Sequence, residues 1–274
     1  MTTLEQLHEV QLEIFDEFVR LCEKHSLHYV MMGGSCLGAV RHRGFIPWDD
    51  DIDVGLYRDD YNRLIEICKK ELHPDFFFQH FETEPNTGFI FGKLRKNHTL
   101  MTEEYSSHIR MHQGIWIDIF PFDYVADDPA DFQSEYHKVL FYRNLLIVKQ
   151  GYGMSNKYSW VDKIKYLCVK PVTALISKQF LFKKLLSLMT AHNGQPTQTL
   201  FPYGCAWAEK ERISKKEFFD TIQVDFENRK VNIFRDYDAY LTRMYGDYMK
   251  VPEDIDQASG HTVDHIVLDD TKKE

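Results

Sequence analysis

Between Phe45 and Leu56 the chain sets four aspartates, Asp49, Asp50, Asp51 and Asp53, into an otherwise apolar stretch: Phe45-Ile46-Pro47-Trp48 precedes them and Ile52 and Val54 interleave. Carboxylates this close repel one another, and apolar surroundings raise the cost of ionising them. A fold that keeps such a run near its core has to bring a cation to it. If 51–56 is a strand, period-two alternation projects Asp51 and Asp53 from one face. Oxygen ligands with little nitrogen or sulfur favour Mg²⁺ or Mn²⁺ over Zn²⁺, and Mg²⁺ fills its remaining positions with water and substrate phosphates. A solvated acidic turn is the alternative, and the apolar neighbours weigh against it.

Two further features converge on the same chemistry. LHYVMM (27–32) reads as a short buried strand that runs straight into Gly33-Gly34-Ser35, with a short helix over roughly 35–42. Backbone N–H groups at a helix start, with the Ser35 hydroxyl, bind a phosphate while a metal neutralises it from the other side. A lone carboxylate, Asp118, stands among Trp116, Ile117, Ile119 and Phe120. A buried unpaired Asp is expensive, so it is expected to serve as a metal ligand or base.

Around these features the pattern alternates. Leu4, Leu7, Ile14, Phe15, Phe18 and Cys22 share a helical face interrupted by Gln11, with Thr3 and Gln6 placed for a capping box. A helix with Tyr61, Leu64, Ile65, Cys68 and Leu72 inward follows the acidic strand, capped by Asp59 or Asp60 and stopped at His73-Pro74. Strands are expected at 76–81, 89–95 and 114–120, the last ending in a turn at Pro121. From about 130 the pattern turns helical, and Tyr237, Tyr240, Leu241 and Met244 form a late helical stripe closed by Gly246. The expected fold is α+β, a mixed sheet flanked by helices with a helical second half. Three parts are expected: a catalytic core over 1–130, a basic helical subdomain over 131–200, and a segment over 201–274 packing back on the core.

Charge and cysteine usage limit the partners. The net charge of −9 and pI of about 5.8 argue against nucleic acid, whose phosphates need clustered Lys and Arg. Five scattered cysteines without CxxC spacing read as reduced thiols. The opening MTTLEQLHEV carries acidic residues and no apolar core, so a secretory leader is not expected, the sequence shows no apolar run of bilayer length, and a cytoplasmic protein is expected. Segment 138–189 is the exception in charge, with ten Lys or Arg against the single acid Asp162. Its interleaved Leu175, Ile176, Leu181, Phe182, Leu185 and Leu186 suit either peripheral contact with an anionic membrane or an ordinary helical subdomain with solvated lysines.

GGSCLGAVRHRGFIPWDDDIDVG (33–55) resembles the signature of the LicD family of phosphocholine transferases, whose catalytic unit is similar to the nucleotidyltransferase fold shared with fukutin-related proteins. Lys93-Leu94-Arg95, IWIDIFPFD (115–123), DYDAYLTRMYGDYMKVP (236–252) and His261 extend the likeness. The resemblance implies transfer of a phosphorylated alcohol, typically phosphocholine, from a CDP-activated donor such as CDP-choline to a hydroxyl of a cell-surface glycan or its lipid-linked precursor, for example lipopolysaccharide or teichoic acid, releasing CMP. It implies that Asp51 and Asp53 hold the divalent metal, that Asp49 is an outer or additional metal partner, that Asp118 is the third carboxylate, and that His261 closes over the nucleotide.

The donor's pyrophosphate calls for cations beyond one metal. Arg41, less than two helical turns past the glycine turn, is the first candidate. Lys93 and Arg95 alternate along a strand and face either the site or water; His42 and Trp48 are further candidates, Trp48 for stacking on cytosine. Asp118 either accepts the acceptor hydroxyl's proton or positions a second metal. Tyr105, Trp116, Phe122 and Tyr124 lie near the Asp118 strand, and none is singled out as a choline cage. The competing readings are a nucleotidyltransferase moving NMP from an NTP with pyrophosphate release, a DxD glycosyltransferase, and a non-catalytic nucleotide-binding protein.

Overall fold

The computed structural model of the protein describes residues 3–153, 169–205, 208–251 and 263–268. The first helix, α1 (Thr3–His25), buries Leu7, Gln11, Ile14, Phe15, Phe18, Leu21 and Cys22, the spacing of one helical face. That face lies on the sheet. Next come β1 (Tyr29–Met31), α2 (Gly33–Arg41), β2 (Asp53–Tyr57) and α3 (Arg58–Glu71). Two boundaries differ from expectation in ways that matter for the site. Helix α2 starts at Gly33, inside the glycine turn. Strand β2 starts at Asp53, which leaves Asp51 in the preceding loop instead of on the strand face. Asp59 and Asp60 are not caps, because α3 begins at Arg58 without a side-chain cap. They stand in its first turn, where the helix dipole favours acids, and Asp60 accepts the His28 N–H at 3.0 Å.

Strands β3 (Phe76–Gln79), β4 (Gly92–Lys96), β5 (Leu100–Glu103) and β6 (Trp116–Val125) follow. The main sheet runs β1-β2-β6-β4-β3, with β2 and β6 parallel and the other neighbours antiparallel. Strand β6 does not turn at Pro121 but continues through it to Val125. The Asp118 N–H donates to Ile52 on the β2 side, so by alternation Pro121 points its nitrogen to the opposite edge. There the β4 pairing ends at Ile119 and the next begins at Phe122, so no ladder bond is lost.

The helical stretch includes α4 (Pro129–Gln150) and α5 (Lys178–Met189). Asp128 caps α4 by accepting the Ala130 and Asp131 N–H groups, and Gly151 closes it in the left-handed conformation. After Met189 strands resume. β7 (Thr199–Pro202) joins the far half of β6, and β8 (Ile213–Ser214) joins β7. A 3₁₀ turn (Ala208–Glu211) lies between them; α6 (Lys215–Phe219), the hairpin β9 (Thr221–Phe226) and β10 (Arg229–Phe234), α7 (Tyr237–Tyr245) and β11 (Val263–Val267), paired with β5, complete the fold. The architecture is the expected mixed sheet flanked by helices.

One apolar core joins α1, α2, the sheet and α7; a second joins α4 and α5 to Val125, Phe201 and Tyr203. Between them Arg58 donates to both oxygens of the fully buried Asp123, at 2.7 and 2.5 Å, and Asn193 donates to the same carboxylate at 2.8 Å. Cys22, Cys36 and Cys68 are buried free thiols and Cys205 is half-buried; Cys168 lies outside the described residues. Among the described residues no helix is long and apolar enough to cross a membrane.

Candidate active site

Asp53 and Asp118 stand opposite one another in the parallel β2–β6 pairing. Neighbouring strands lie about 4.8 Å apart, and paired residues project from the same face, so the register alone brings these two carboxylates together. The loop ahead of β2 adds Asp49, Asp50 and Asp51, whose nearest oxygens all lie within 4.8 Å of one another. The tight carboxylate triad is therefore Asp49–Asp51 in the loop, with Asp53 and Asp118 on the adjoining strands.

Both ends of the chain hold that loop. The His8 Nε2 donates to the Asp49 carbonyl at 2.8 Å, and Gln11 Nε2 donates to the Asp50 carbonyl at 2.7 Å. Burial lowers the His8 pKa, which leaves a neutral ring stacked on Phe45 at 3.8 Å. From the β9–β10 turn, Glu227 accepts the Phe45 N–H at 3.2 Å and donates its own N–H to the Arg43 carbonyl at 2.7 Å.

The glycine turn packs directly on the carboxylates. Gly33 has φ +55°, and a Cβ at Gly34 would sit 2.7 Å from Asp49 Oδ2, inside any real contact, so a side chain at Gly34 would push the Asp49 carboxylate from its place. Gly33 donates its N–H to the Tyr240 hydroxyl at 2.9 Å. The Ser35 hydroxyl accepts the Asp53 N–H at 2.8 Å, so it ties the turn to β2 from below and does not line the cleft. The N–H groups of Gly34 and Ser35 belong to the first helical turn and have no intrahelical acceptor. An anion bound there would lie beside Asp49 and Asp53, and charge balance at that point demands a cation. The Asp49–Asp51 oxygens, with Asp53 alongside, fit a hard divalent ion.

These groups open on a cleft of about 590 Å³. Gly33, Gly34, Arg41, Trp48, Asp49, Asp51, Asp53, Lys93 and Asp118 all line it; His261 lies outside the described residues. Lys93 is buried and pairs with Asp118 at 2.6 Å, its ammonium 4.5 Å from the Phe89 ring centre and 4.2 Å from that of Trp116. Asp118 thus carries its own cation. Arg95 is equally buried but serves the scaffold, donating to Gln79 at 2.7 Å and to the Gly114 carbonyl at 2.6 Å; burial pulls its pKa down to about 10. Neither cation faces water. Arg41 spends one nitrogen on the Tyr248 carbonyl at 2.8 Å and another on His42 at 2.9 Å, and its guanidinium stands 5.8 Å from the Trp48 ring centre.

Of the remaining lining groups, Phe120, Tyr245, Asp247, Tyr248 and Lys250 lie in segments that carry the family likeness and Tyr105 is one of the aromatics near the Asp118 strand, whereas Phe89, Phe91, Arg143 and Glu211 gave no signal in the sequence. Phe89, Phe91 and Phe120 form an aromatic wall with Tyr105, Arg143 reaches in from α4, and Glu211, Tyr245, Asp247, Tyr248 and Lys250 form the far side. Glu211 is buried, and burial pushes its carboxyl up to about 7. Gln11 did leave a signal: a polar residue interrupting an apolar helical face has a specific partner inside.

A family model described as LicD/FKTN/FKRP, nucleotidyltransferase domain, matches residues 26–147. The chain is 30% identical to the lipopolysaccharide cholinephosphotransferase LicD of Haemophilus influenzae over 97% of this chain and 98% of that protein. It is 29% identical to the ribitol 5-phosphate transferase FKRP of mouse and of human, over 36% of this chain and 18% of those proteins. The chain belongs to the LicD family and is a transferase of that family.

Proposed function

We propose that the protein is a metal-dependent phosphocholine transferase that moves the phosphorylated alcohol of CDP-choline onto a hydroxyl of a cell-surface glycan, such as a lipopolysaccharide or its lipid-linked precursor, and releases CMP. The observation that carries the proposal is the convergence, in one cleft, of the Gly33-Gly34 helix start with the acidic loop and the Asp53/Asp118 pair. Similarity to a cholinephosphotransferase along nearly the whole chain supports the donor assignment.

In this scheme Asp51 and Asp53, with Asp49, hold Mg²⁺ or Mn²⁺. Such an ion, when bound, neutralises the pyrophosphate and lowers the barrier to departure of CMP. The N–H groups of Gly34 and Ser35 take the phosphate oxygens at the helix start, and Lys93 and Arg41 add positive charge to the walls. Trp48 offers a face for the cytosine and His261 a cover for the nucleotide. The acceptor oxygen attacks the phosphorus that bears choline, the bridging P–O bond to CMP breaks, and the hydroxyl proton passes to Asp118, which Lys93 holds in place. The aromatic wall of Phe89, Phe91, Tyr105 and Phe120 suits a quaternary ammonium. Exposed Phe141, Val172, Leu175 and Phe180 on the lysine-rich segment suit a peripheral position at the inner face of an anionic membrane. The scheme keeps 1–130 as catalytic core, 131–200 as basic subdomain and 201–274 as the segment that completes the cleft.

Release of CMP from CDP-choline by the purified protein, with Mg²⁺ or with EDTA, tests this directly beside CDP-ethanolamine, CDP-glycerol, CDP-ribitol and the four NTPs. EDTA-sensitive CMP release from CDP-choline is the expected result. Preference for CDP-ribitol moves the donor to the polyols that the ribitol 5-phosphate transferases handle; pyrophosphate from an NTP overturns the proposal.

A further inference from the structure

The start of α2 is wired to the opposite side of the cleft. The Gly33 N–H donates to the Tyr240 hydroxyl at 2.9 Å, and that hydroxyl donates its own proton to Glu211 Oε2 at 3.0 Å. Tyr240 is fully buried and Glu211 is 2% exposed. The 3₁₀ turn carrying Glu211 is itself fastened to α7: Lys210 Nζ donates to the Met244 carbonyl at 3.0 Å, and Arg243 Nε donates to the Lys210 carbonyl at 2.9 Å. Arg41, at the far end of α2, is bound to the Tyr248 carbonyl. Helix α2 is therefore braced at both ends by the segment around α7, and its catalytic end is braced through one phenol and one carboxyl.

We propose that Glu211 and Tyr240 are positioning residues for the donor phosphates: through the Gly33 N–H they fix the turn so that Gly34 and Ser35 present their N–H groups beside Asp49 and Asp53. The proposal rests on the assignment of that turn to the donor pyrophosphate. A consequence concerns charge. Among the described residues, the groups facing Glu211 are Tyr240, Tyr245 and Arg243 from α7 and Cys36 from α2. The cation of that set, Arg243, is already bound to Glu217 at 2.9 Å. Burial accordingly favours the neutral acid, which adds no further negative charge to a cleft that must admit a pyrophosphate. Once ionised, Glu211 opposes donor binding, so the apparent affinity follows the protonated fraction.

The test uses the full chain with Mg²⁺, measuring CDP-choline binding by calorimetry, with CDP-ribitol beside it, from about pH 6.5 to about pH 8.5, on either side of the Glu211 titration, for the wild type, Glu211→Gln and Tyr240→Phe. The pyrophosphate diester does not titrate in this range. The expected wild-type affinity falls by about tenfold or more across it, Glu211→Gln is flat, and Tyr240→Phe binds about five- to tenfold more weakly at every pH. In turnover the loss appears in KM, with kcat nearly unchanged. Amide exchange at Gly33, protected in the wild type and accelerated in Tyr240→Phe, reads the brace without any turnover. Parallel pH profiles for wild type and Glu211→Gln overturn the proposal, and so does absence of binding by the wild type. If Tyr240→Phe does not fold, Glu211→Gln alone decides. Variants that bind as expected while no CDP-alcohol yields CMP would sink the transferase assignment and leave this one standing.

Discussion

Replacing Glu211 by glutamine deletes one titration from the interior, and its effect on folding can be worked out beforehand. Burial raises the carboxyl from 4.5 to about 7, against the opposing pull of the Tyr240 hydrogen bond and of Arg243. The folded value lies above the unfolded one, so the folded chain holds an extra proton between about pH 4.5 and pH 7. Stability therefore falls as pH rises through that window and stays at the lower level above it. The difference of 7 − 4.5 units, at 1.36 kcal/mol per unit, amounts to roughly 3 kcal/mol. The substitution Glu211→Gln also places an NH₂ where a carboxyl stood, at a cost of about 1 kcal/mol if it finds no acceptor. Near pH 5 the variant is then slightly less stable than the wild type, and by about pH 8 it is more stable by about 2 kcal/mol, several degrees in Tm for a chain of this size. Calorimetric melting of both proteins in half-unit steps from about pH 5 to about pH 8 measures this, and ionisations common to both proteins cancel in the difference. Melting curves that shift in parallel, with a constant gap between the two proteins, would refute the reasoning, because they would mean that Glu211 ionises in the folded chain as it does in water.

Three other perturbations separate scaffold from site. Arg58→Leu leaves the fully buried Asp123 with Asn193 as its remaining described side-chain partner; urea denaturation is expected to show a loss of about 3–5 kcal/mol, while CMP release at low temperature persists, and a loss below about 1 kcal/mol would count against a dry interior at this point. Gly34→Ala puts a Cβ 2.7 Å from Asp49 Oδ2, so the Asp49 carboxylate must leave its place in the cluster; turnover is expected to drop about a hundredfold with a small change in Tm, and near-normal kcat/KM would show that this placement is dispensable. Asp53→Asn relieves repulsion within the carboxylate cluster, so Tm is expected to hold or rise while CMP release disappears; full activity in this variant sinks the metal assignment.

Much of the fold is legible in local pattern because local physics dictates it. The face of α1 and the apolar run of β6 announce themselves by period and composition, and the glycine turn marks the junction of β1 with α2. The misjudged boundaries have a common origin in tertiary pairing. Pro121 reads as a turn in any local window, yet it continues a strand because no ladder partner is paired to it at that edge. Asp51 reads as a strand residue because Ile52 and Val54 alternate with it, yet pairing with β1 extends only from Val54 to Leu56, and the triad forms in the loop instead.

The carboxylates and the turn of the candidate site were legible because their chemistry is concentrated in sequence, between Gly33 and Asp53 and at Asp118. What was hardly legible is what holds them, since the supports come from distant elements through bonds to backbone atoms. His8 and Gln11 act on the carbonyls of Asp49 and Asp50, Glu227 acts on the Phe45 amide, and Tyr240 acts on the Gly33 amide from 207 positions away. A backbone carbonyl or amide carries no residue identity, so nothing at Gly33 or Asp49 advertises its partner. Apart from Gln11, whose polarity breaks an apolar helical face, the supporting side chains look ordinary where they stand, a His on an amphipathic helix, a Glu in a hairpin turn, a Tyr in an apolar stripe. Positioning a cluster of like charges requires rigid backbone around it, and this chain obtains that rigidity from its first helix and from the hairpin and helix near its other end. Substitutions far outside the acidic signature are therefore expected to disable the site without removing one of its carboxylates.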